Sequence, residues 1–200
     1  MSPGGGDGGG CAGLLLAAGA GERLGRPKAL VEFGGERLLD RGIRTLRDGG
    51  CHPVVVVLGA VTVQVRGAVA VRNPGWRSGM GSSLRTGLEV LPPDAGHAVV
   101  ALVDQPLIGA AVVGRLVRAG LDGAPIAVAT YGGARRNPVL IAREHFAGVA
   151  ELAVGDVGAR PFLRAHPELV VEVPCDDLGD PADIDTPADL ARLSASRYAQ

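Results

Sequence analysis

The stretch LLLAAGAGERLGRPK, residues 14–28, decides the fold of this chain. Its first five residues, Leu14, Leu15, Leu16, Ala17 and Ala18, are continuously apolar. With no polar residue alternating, such a run suits a strand buried on both faces of a parallel sheet. Gly19, Gly21 and Gly25 follow, with Arg23 and Lys28 among them. Glycines let the backbone turn tightly and bring bare N–H groups against a ligand. Arg and Lys supply the positive charge that a phosphate chain attracts. A buried strand feeding a glycine-rich basic loop reads as a nucleotide phosphate site. The spacing is not that of a P-loop, because no Gly-x-x-x-x-Gly-Lys-Ser/Thr occurs. Nor is it a dinucleotide fingerprint: Leu24 stands where the third glycine belongs, and Pro27 interrupts any helix starting there.

Outward from this loop the pattern alternates. Residues 11–18 form the first strand. Leu38, Leu39, Ile43 and Leu46 recur at helical spacing, which predicts a helix over 36–48, stopped by Gly49 and Gly50. Strands are expected at 54–58 and 68–71, with a short helix or turn at 61–67. A fourth strand spans 98–103, a helix 110–119, and strands 126–130 and 139–142 flank a turn at 131–136. A helix through residue 164, a strand at 169–173 and a last helix complete the order, with Thr186 as cap and Pro187 in the first turn. Alternating strands and helices argue a three-layer α/β/α sandwich around a mostly parallel, Rossmann-like sheet. The expectation is one domain over 11–200, led by a disordered Gly-rich segment at 1–10 that lacks the apolar core of a signal peptide.

The chain has 200 residues, 46% of them hydrophobic, enough for a sizeable core. Only 3% are aromatic, so Val, Leu and Ala must fill it. The formal net charge of −1 gives no support for binding nucleic acid or a membrane surface. No apolar run approaches the ~20 residues that span a bilayer. Cys11, Cys51 and Cys175 are odd in number, far apart, and make no ligand-spaced group with the histidines. Free thiols in a reducing cytoplasm are therefore expected.

Two further stretches carry chemistry. Residues 73–88 break a strand, form a loop and start a helix with Ser82 or Ser83 near its N-terminus; Ser caps helices, and helix N-termini attract anions. Asp104 closes the fourth strand, at the sheet edge where open α/β folds bind ligands. A carboxylate there, near a phosphate loop, suits Mg²⁺, which takes one or two carboxylates plus phosphate oxygens and water.

The segment LAAGAGERLGRPKAL resembles the nucleotidyltransferase signature Leu-Ala-(Ala/Gly)-Gly-x-x-x-Arg-(Met/Leu)-Gly followed by Lys. It looks most like the MobA-like branch that transfers nucleotides to molybdopterin. Ala-Ala-Gly resembles the cytidylyl enzymes and Ala-Gly-Gly the guanylyl ones, so Ala18 points to CTP. Asn73-Pro74-x-Trp76-x-x-Gly79-Met80-x-x-Ser83-Leu84, Asp104-Gln105-Pro106, Gly155-Asp156-x-Gly158-Ala159-Arg160 and Asp183-Ile184-Asp185-Thr186-Pro187 are similar to further motifs of that family. So, imperfectly, is the segment around Pro138, where Asn137 stands in place of Gly or His.

The resemblance implies a fold of the nucleotide-diphospho-sugar transferase type. It also implies a Mg²⁺-dependent transfer of CMP from CTP to a phosphorylated acceptor, molybdopterin, with release of pyrophosphate. Leu16, Ala17, Ala18, Gly19, Gly21 and Ser83 would then bind the nucleotide. The alanines would leave room for the base, and the backbone of residues 19–21 would cradle phosphates. Arg23 and Lys28 would neutralise the triphosphate, while Asp104, with Asp185 as second carboxylate, would hold the metal. Arg135, Arg136 and Asp156 would lie on the acceptor side. A molybdenum hydroxylase receiving the cofactor is the implied partner. Competing expectations are a sugar phosphate or another phosphorylated alcohol as acceptor, a nucleotide-sugar glycosyltransferase, or a non-catalytic nucleotide-binding accessory module.

Overall fold

Leu14 and Leu16 point to one face of the first strand, Leu15 and Ala17 to the other, and all are buried. Burial on both faces is why the run has no polar alternation. The computed structural model describes residues 9–197, so most of the lead-in expected at 1–10 lies outside the described residues. Gly10 does take part in the fold: its carbonyl accepts the Gly96 N–H at 2.9 Å.

In chain order, β1 (Cys11–Ala17) is followed by a short antiparallel ribbon, β2 (Glu32–Phe33) and β3 (Glu36–Arg37), and by α1 (Leu38–Asp48). Then come β4 (Val54–Leu58), β5 (Val69–Arg72), α2 (Met80–Glu89), β6 (His97–Leu102) and α3 (Ala110–Leu121). β7 (Ile126–Tyr131), β8 (Ala134–Ala142), α4 (Phe146–Leu152), α5 (Arg160–Ala165), β9 (Val170–Pro174) and α6 (Pro187–Arg197) complete it. The main sheet has the order β5-β4-β1-β6-β8-β7-β9. Only β8 runs against its neighbours; β1 pairs in parallel with β4 and β6. Leu39, Ile43 and Leu46 of α1 and Val112, Val113 and Leu116 of α3 cover one face. Leu84 and Leu88 of α2, Val149 of α4 and Phe162 of α5 cover the other. The expected three-layer, mostly parallel sandwich is what forms.

Several boundaries differ for identifiable reasons. The helix expected over 36–48 starts at Leu38, because Glu36 and Arg37 pair with Phe33 and Glu32. Residues 61–67 make no helix. Val61, Val63 and Val65 instead lean against the core at a period of two, which a helix cannot sustain. β8 begins at Ala134 rather than at residue 139, since Tyr131 pairs with Ala134 across a two-residue Gly132-Gly133 turn. Residues 146–152, given no element in the sequence reading, form α4. Thr186 caps α6 as expected: its Oγ1 accepts the Asp189 N–H at 3.2 Å, and Asp189 Oδ2 accepts the Thr186 N–H at 3.0 Å. Cys11, Cys51 and Cys175 are all free. Among the described residues no helix is long and apolar enough to cross a membrane.

From β1 the chain first builds outward through β4 and β5, then returns to place β6 on the other flank of β1. The C-terminal end of β1 is thus the point where strand order reverses, and the crevice that opens there is the place for a ligand.

Candidate functional site

Three connections meet beyond the end of β1. The loop after Ala17 leaves beside the residues after β4, where the Ala60 N–H donates to the Ala18 carbonyl at 3.0 Å. On the other flank the Val103 N–H donates to the Leu16 carbonyl at 3.1 Å, which sets Asp104 next to that loop. The segment carrying Asp185 is stitched in by the Ile184 N–H, donated to the Asp104 carbonyl at 2.9 Å, and by Gln105 Nε2, donated to the Pro181 carbonyl at 3.0 Å. Between these connections and α2 lies an open cleft of about 860 Å³.

One end of the cleft is an ion cluster. Lys28 Nζ lies 2.5 Å from Asp104 Oδ2 and 2.5 Å from Asp185 Oδ1. Arg23 Nη2 holds the other Asp185 oxygen at 2.8 Å. The side chains of Lys28 and Asp104 are each only 17% exposed, so their attraction is weakly screened; Arg23 is 71% exposed and adds less. Burial opposes the charge on Lys28, but the charges and hydrogen bonds of Asp104 and Asp185 outweigh it and hold the ammonium above its ordinary pKa. The hydrogen bond from Lys28, then its charge and that of Arg23, keep the Asp185 carboxyl below the ordinary carboxylate range.

Both carboxylates touch one ammonium, so a single cation could touch both. Asp104 Oδ1 is buried and has no hydrogen-bond partner among the described residues. An orphaned carboxylate oxygen of this kind fits a hard cation. No group of three or more His, Cys, Asp or Glu among the described residues could hold a metal ion. Two carboxylates are, however, the protein share of a Mg²⁺ site whose other ligands are phosphate oxygens and water.

The loop itself turns through Gly21, at φ 63°, where a Cβ would fall 2.1 Å from the Arg26 carbonyl oxygen. The opposite wall is the start of α2. Asn73 is buried; its Nδ2 donates to Ser82 Oγ at 2.8 Å and Ser83 Oγ at 3.0 Å, and its Oδ1 accepts the Gly75 N–H at 2.9 Å. Neither serine caps the helix. The N-cap is Gly79, and both serines lie inside the first turn. Asp156 Oδ1 accepts the Met80 N–H at 3.1 Å, and the Gly155 carbonyl accepts the Gly81 N–H at 2.7 Å. Gly79 sits at φ 107°, and a Cβ there would fall 2.4 Å from the Gly155 carbonyl carbon. We therefore expect Gly79→Ala to cost at least about 2 kcal/mol, a fall in Tm of roughly 4–8 °C for a chain of this size. An unchanged calorimetric Tm would contradict this.

Leu16, Ala18, Gly19, Gly21, Arg23, Lys28, Ser83, Asp104 and Asp185 all line the cleft. Ala17 does not; with Leu15 it faces the core, 1% exposed, because alternate residues of a strand face opposite ways. Of the residues expected on the acceptor side, Asp156 lines the cleft, and Arg135 and Arg136 do not. Arg135 Nε pairs with Glu172 Oε1 at 2.7 Å across the sheet, and Arg136 Nη1 donates to the Arg135 carbonyl at 3.2 Å. Charged cleft residues with no site role in the sequence analysis are Glu22, Arg77, Arg160 and Asp183. Arg160 ends the Gly-Asp-x-Gly-Ala-Arg motif and Asp183 opens Asp-Ile-Asp-Thr-Pro, so the motifs did mark them. Trp76 also lines the cleft, with its Cβ 2.5 Å from where a Gly59 Cβ would fall.

Asp183 stands at the rim. The protein around its carboxyl, then the charge of Asp104, push it above the ordinary range, while solvent screening keeps the consequence small. A raised carboxyl costs stability above its folded pKa and nothing once both states are protonated. Asp183→Asn should therefore stabilise the protein at pH 7 by less than about 1 kcal/mol. The gain should fade as pH falls through the carboxylate range. Melting curves across pH check this, and a gain that grows with acid would contradict it.

The chain is similar to several known proteins. The chain is 40% identical over 195 residues to nicotine blue oxidoreductase of Paenarthrobacter nicotinovorans, covering 90% of this chain and 95% of that one. It is 36% identical over 110 residues to a probable molybdenum cofactor guanylyltransferase of Opitutus terrae, 54% of each chain. Its fold superposes with a TM-score of 0.79 on a Mycobacterium tuberculosis protein crystallised in complex with manganese, 27% identical, covering 94% of this chain and 99% of that one. The model of the MobA-like NTP transferase domain matches residues 13–170, strand, glycine loop and Asp104 included, and the chain belongs to that family.

Proposed function

We propose that this nucleotidyltransferase moves CMP from CTP onto the phosphate of molybdopterin, with Mg²⁺, and releases pyrophosphate. The observation that carries the reading is the pair of carboxylates, Asp104 and Asp185, gripping one cation beside a glycine loop at the mouth of the cleft. In-line nucleotidyl transfer asks a protein mainly to position two anionic substrates and offset their charge. Backbone N–H groups of residues 19–21 receive the phosphates. Arg23 and Lys28 neutralise the triphosphate and the departing pyrophosphate. Asp104 and Asp185 hold the metal, which when bound withdraws charge from the α-phosphate. Leu16 and Ala18 border the base, and Ser83 faces the nucleotide from α2. The attacking phosphate is already ionised, so no side chain need act as general base.

Ala18, which gives the loop its Ala-Ala-Gly form, supports CTP; the guanylyl relative makes GTP the first competitor. Delivery of the product to a molybdenum hydroxylase in the cytoplasm completes the reading. A second reading, oxidation–reduction, is favoured by the name of the 40% identical relative. Two carboxylates on one cation beside a glycine loop are what nucleotidyl transfer asks of a site, which is why transfer ranks first.

Thermal shift against the four NTPs with Mg²⁺, then pyrophosphate release with molybdopterin and with sugar phosphates, tests the assignment. Largest stabilisation by CTP and pyrophosphate release dependent on molybdopterin are expected. Preference for GTP would replace the nucleotide, and release with a sugar phosphate alone would replace the acceptor. No release with any pair, together with reduction of a dye by an added nicotinamide nucleotide that is oxidised in step, would establish the second reading.

A further inference from the structure

Lys28 does more in this structure than wait for phosphate. Its ammonium bridges Asp104 Oδ2 and Asp185 Oδ1, at 2.5 Å from each. That is the position a divalent ion shared by the two carboxylates would take, and an ammonium and a metal ion exclude one another there by size and by charge. Asp104 Oδ1 is the one oxygen of the pair left without a partner, since Arg23 Nη2 holds Asp185 Oδ2. Without nucleotide the four groups in contact balance, two carboxylates against one ammonium and one guanidinium, while Asp183 at the rim adds negative charge that favours keeping a cation there. The way out for the ammonium is short. Lys28 Cγ lies 3.4 Å from where a Gly21 Cβ would fall, so the flexible stem runs along the glycine loop itself. Phosphates received on that loop would therefore lie beside the stem that carries Nζ.

We propose that Lys28 is a built-in stand-in cation: it fills the metal position until a triphosphate draws its ammonium onto the glycine loop, so that metal entry depends on nucleotide. This rests on the cation site proposed above and adds a binding order to it. Arrival of the triphosphate moves one positive charge from the carboxylates to the phosphates and leaves two carboxylates, only one of them still paired with Arg23, facing the dication. Nucleotide and metal therefore strengthen each other's binding, reciprocally, as linkage requires.

Mn²⁺ titration of the full chain, followed by electron paramagnetic resonance, tests this without turnover. Lys28→Met keeps the length of the stem and removes the charge; Lys28→Gln replaces it if the methionine variant does not fold. Without nucleotide the variant should bind Mn²⁺ at least about tenfold more tightly than wild type, within the usual span of coupling between sites. Adding Asp104→Asn to it should abolish that gain. Equal Mn²⁺ affinity of Lys28→Met and wild type overturns the proposal. A companion titration with α,β-methylene CTP separates the role of Lys28 from the metal site itself. If Asp104→Asn still weakens Mn²⁺ binding in the nucleotide complex, the metal site stands and only the role of Lys28 falls. If Asp104→Asn has no effect there either, the metal site falls with it.

Discussion

Asp104→Ala lowers kcat/KM at least about a thousandfold, while CTP binding survives in part; that is the largest single effect expected of any substitution. The carboxylate leaves the C-terminal end of β6 with one oxygen on Lys28 and the other buried without a partner. On the proposed function, removing it would take away one of two protein ligands for Mg²⁺ and leave Asp185, 34% exposed and shared with Arg23, to hold the ion alone. The lost stabilisation concerns charge that develops at the α-phosphate in the transition state, so kcat falls most. Ground-state binding still has the glycine loop, Arg23 and Lys28. Isothermal titration with CTP, beside pyrophosphate release, separates the two. Retention of magnesium-dependent turnover within tenfold of wild type would remove Asp104 from the site.

Lys28→Ala should cost at least about 2 kcal/mol of transition-state stabilisation, near thirtyfold in kcat/KM, the scale of a charged contact to phosphate. The cost falls on both parameters, because the ammonium meets phosphate in the bound and in the transition state. The same substitution leaves Asp104 and Asp185 repelling each other across an unfilled gap, so Mg²⁺ should restore thermal stability to the variant more than to wild type. A kcat/KM within threefold of wild type would refute a phosphate role for Lys28.

How far the sequence carried these conclusions depends on the residue. The strands β1 and β4 were legible because both faces are buried and their residues are apolar without a break, β6 because the same holds for Ala98, Val99 and Val100 at its centre, and α1 because Leu39, Ile43 and Leu46 repeat at its period. α4 was not, since Gly148 interrupts a two-turn segment whose buried residues are only Phe146 and Val149. β8 hid its first half because Arg135 and Arg136 are polar and its buried residues begin at Pro138. Those same arginines illustrate the limit for site residues. A basic pair in a glycine turn reads like a phosphate clamp, but pairing with β7 and the reach of Arg135 to Glu172 commit it to the sheet. Arg23, Lys28, Asp104 and Asp185 meet although 157 residues separate Lys28 from Asp185. No periodicity encodes a contact of that range. Family motifs pointed to it, and the topology accomplishes it by reversing strand order at β1. Ala17 failed for a local reason: on a strand, its neighbour Leu16 takes the cleft side and it takes the core.

The most direct measurement is a crystal of the chain with Mn²⁺ and α,β-methylene CTP, with data collected at the manganese absorption edge. One anomalous peak is expected within bonding distance of Asp104 and Asp185 and of an α-phosphate oxygen, with Lys28 Nζ moved onto the triphosphate. A manganese peak elsewhere, with the Lys28 ammonium still bridging the two carboxylates, would contradict it.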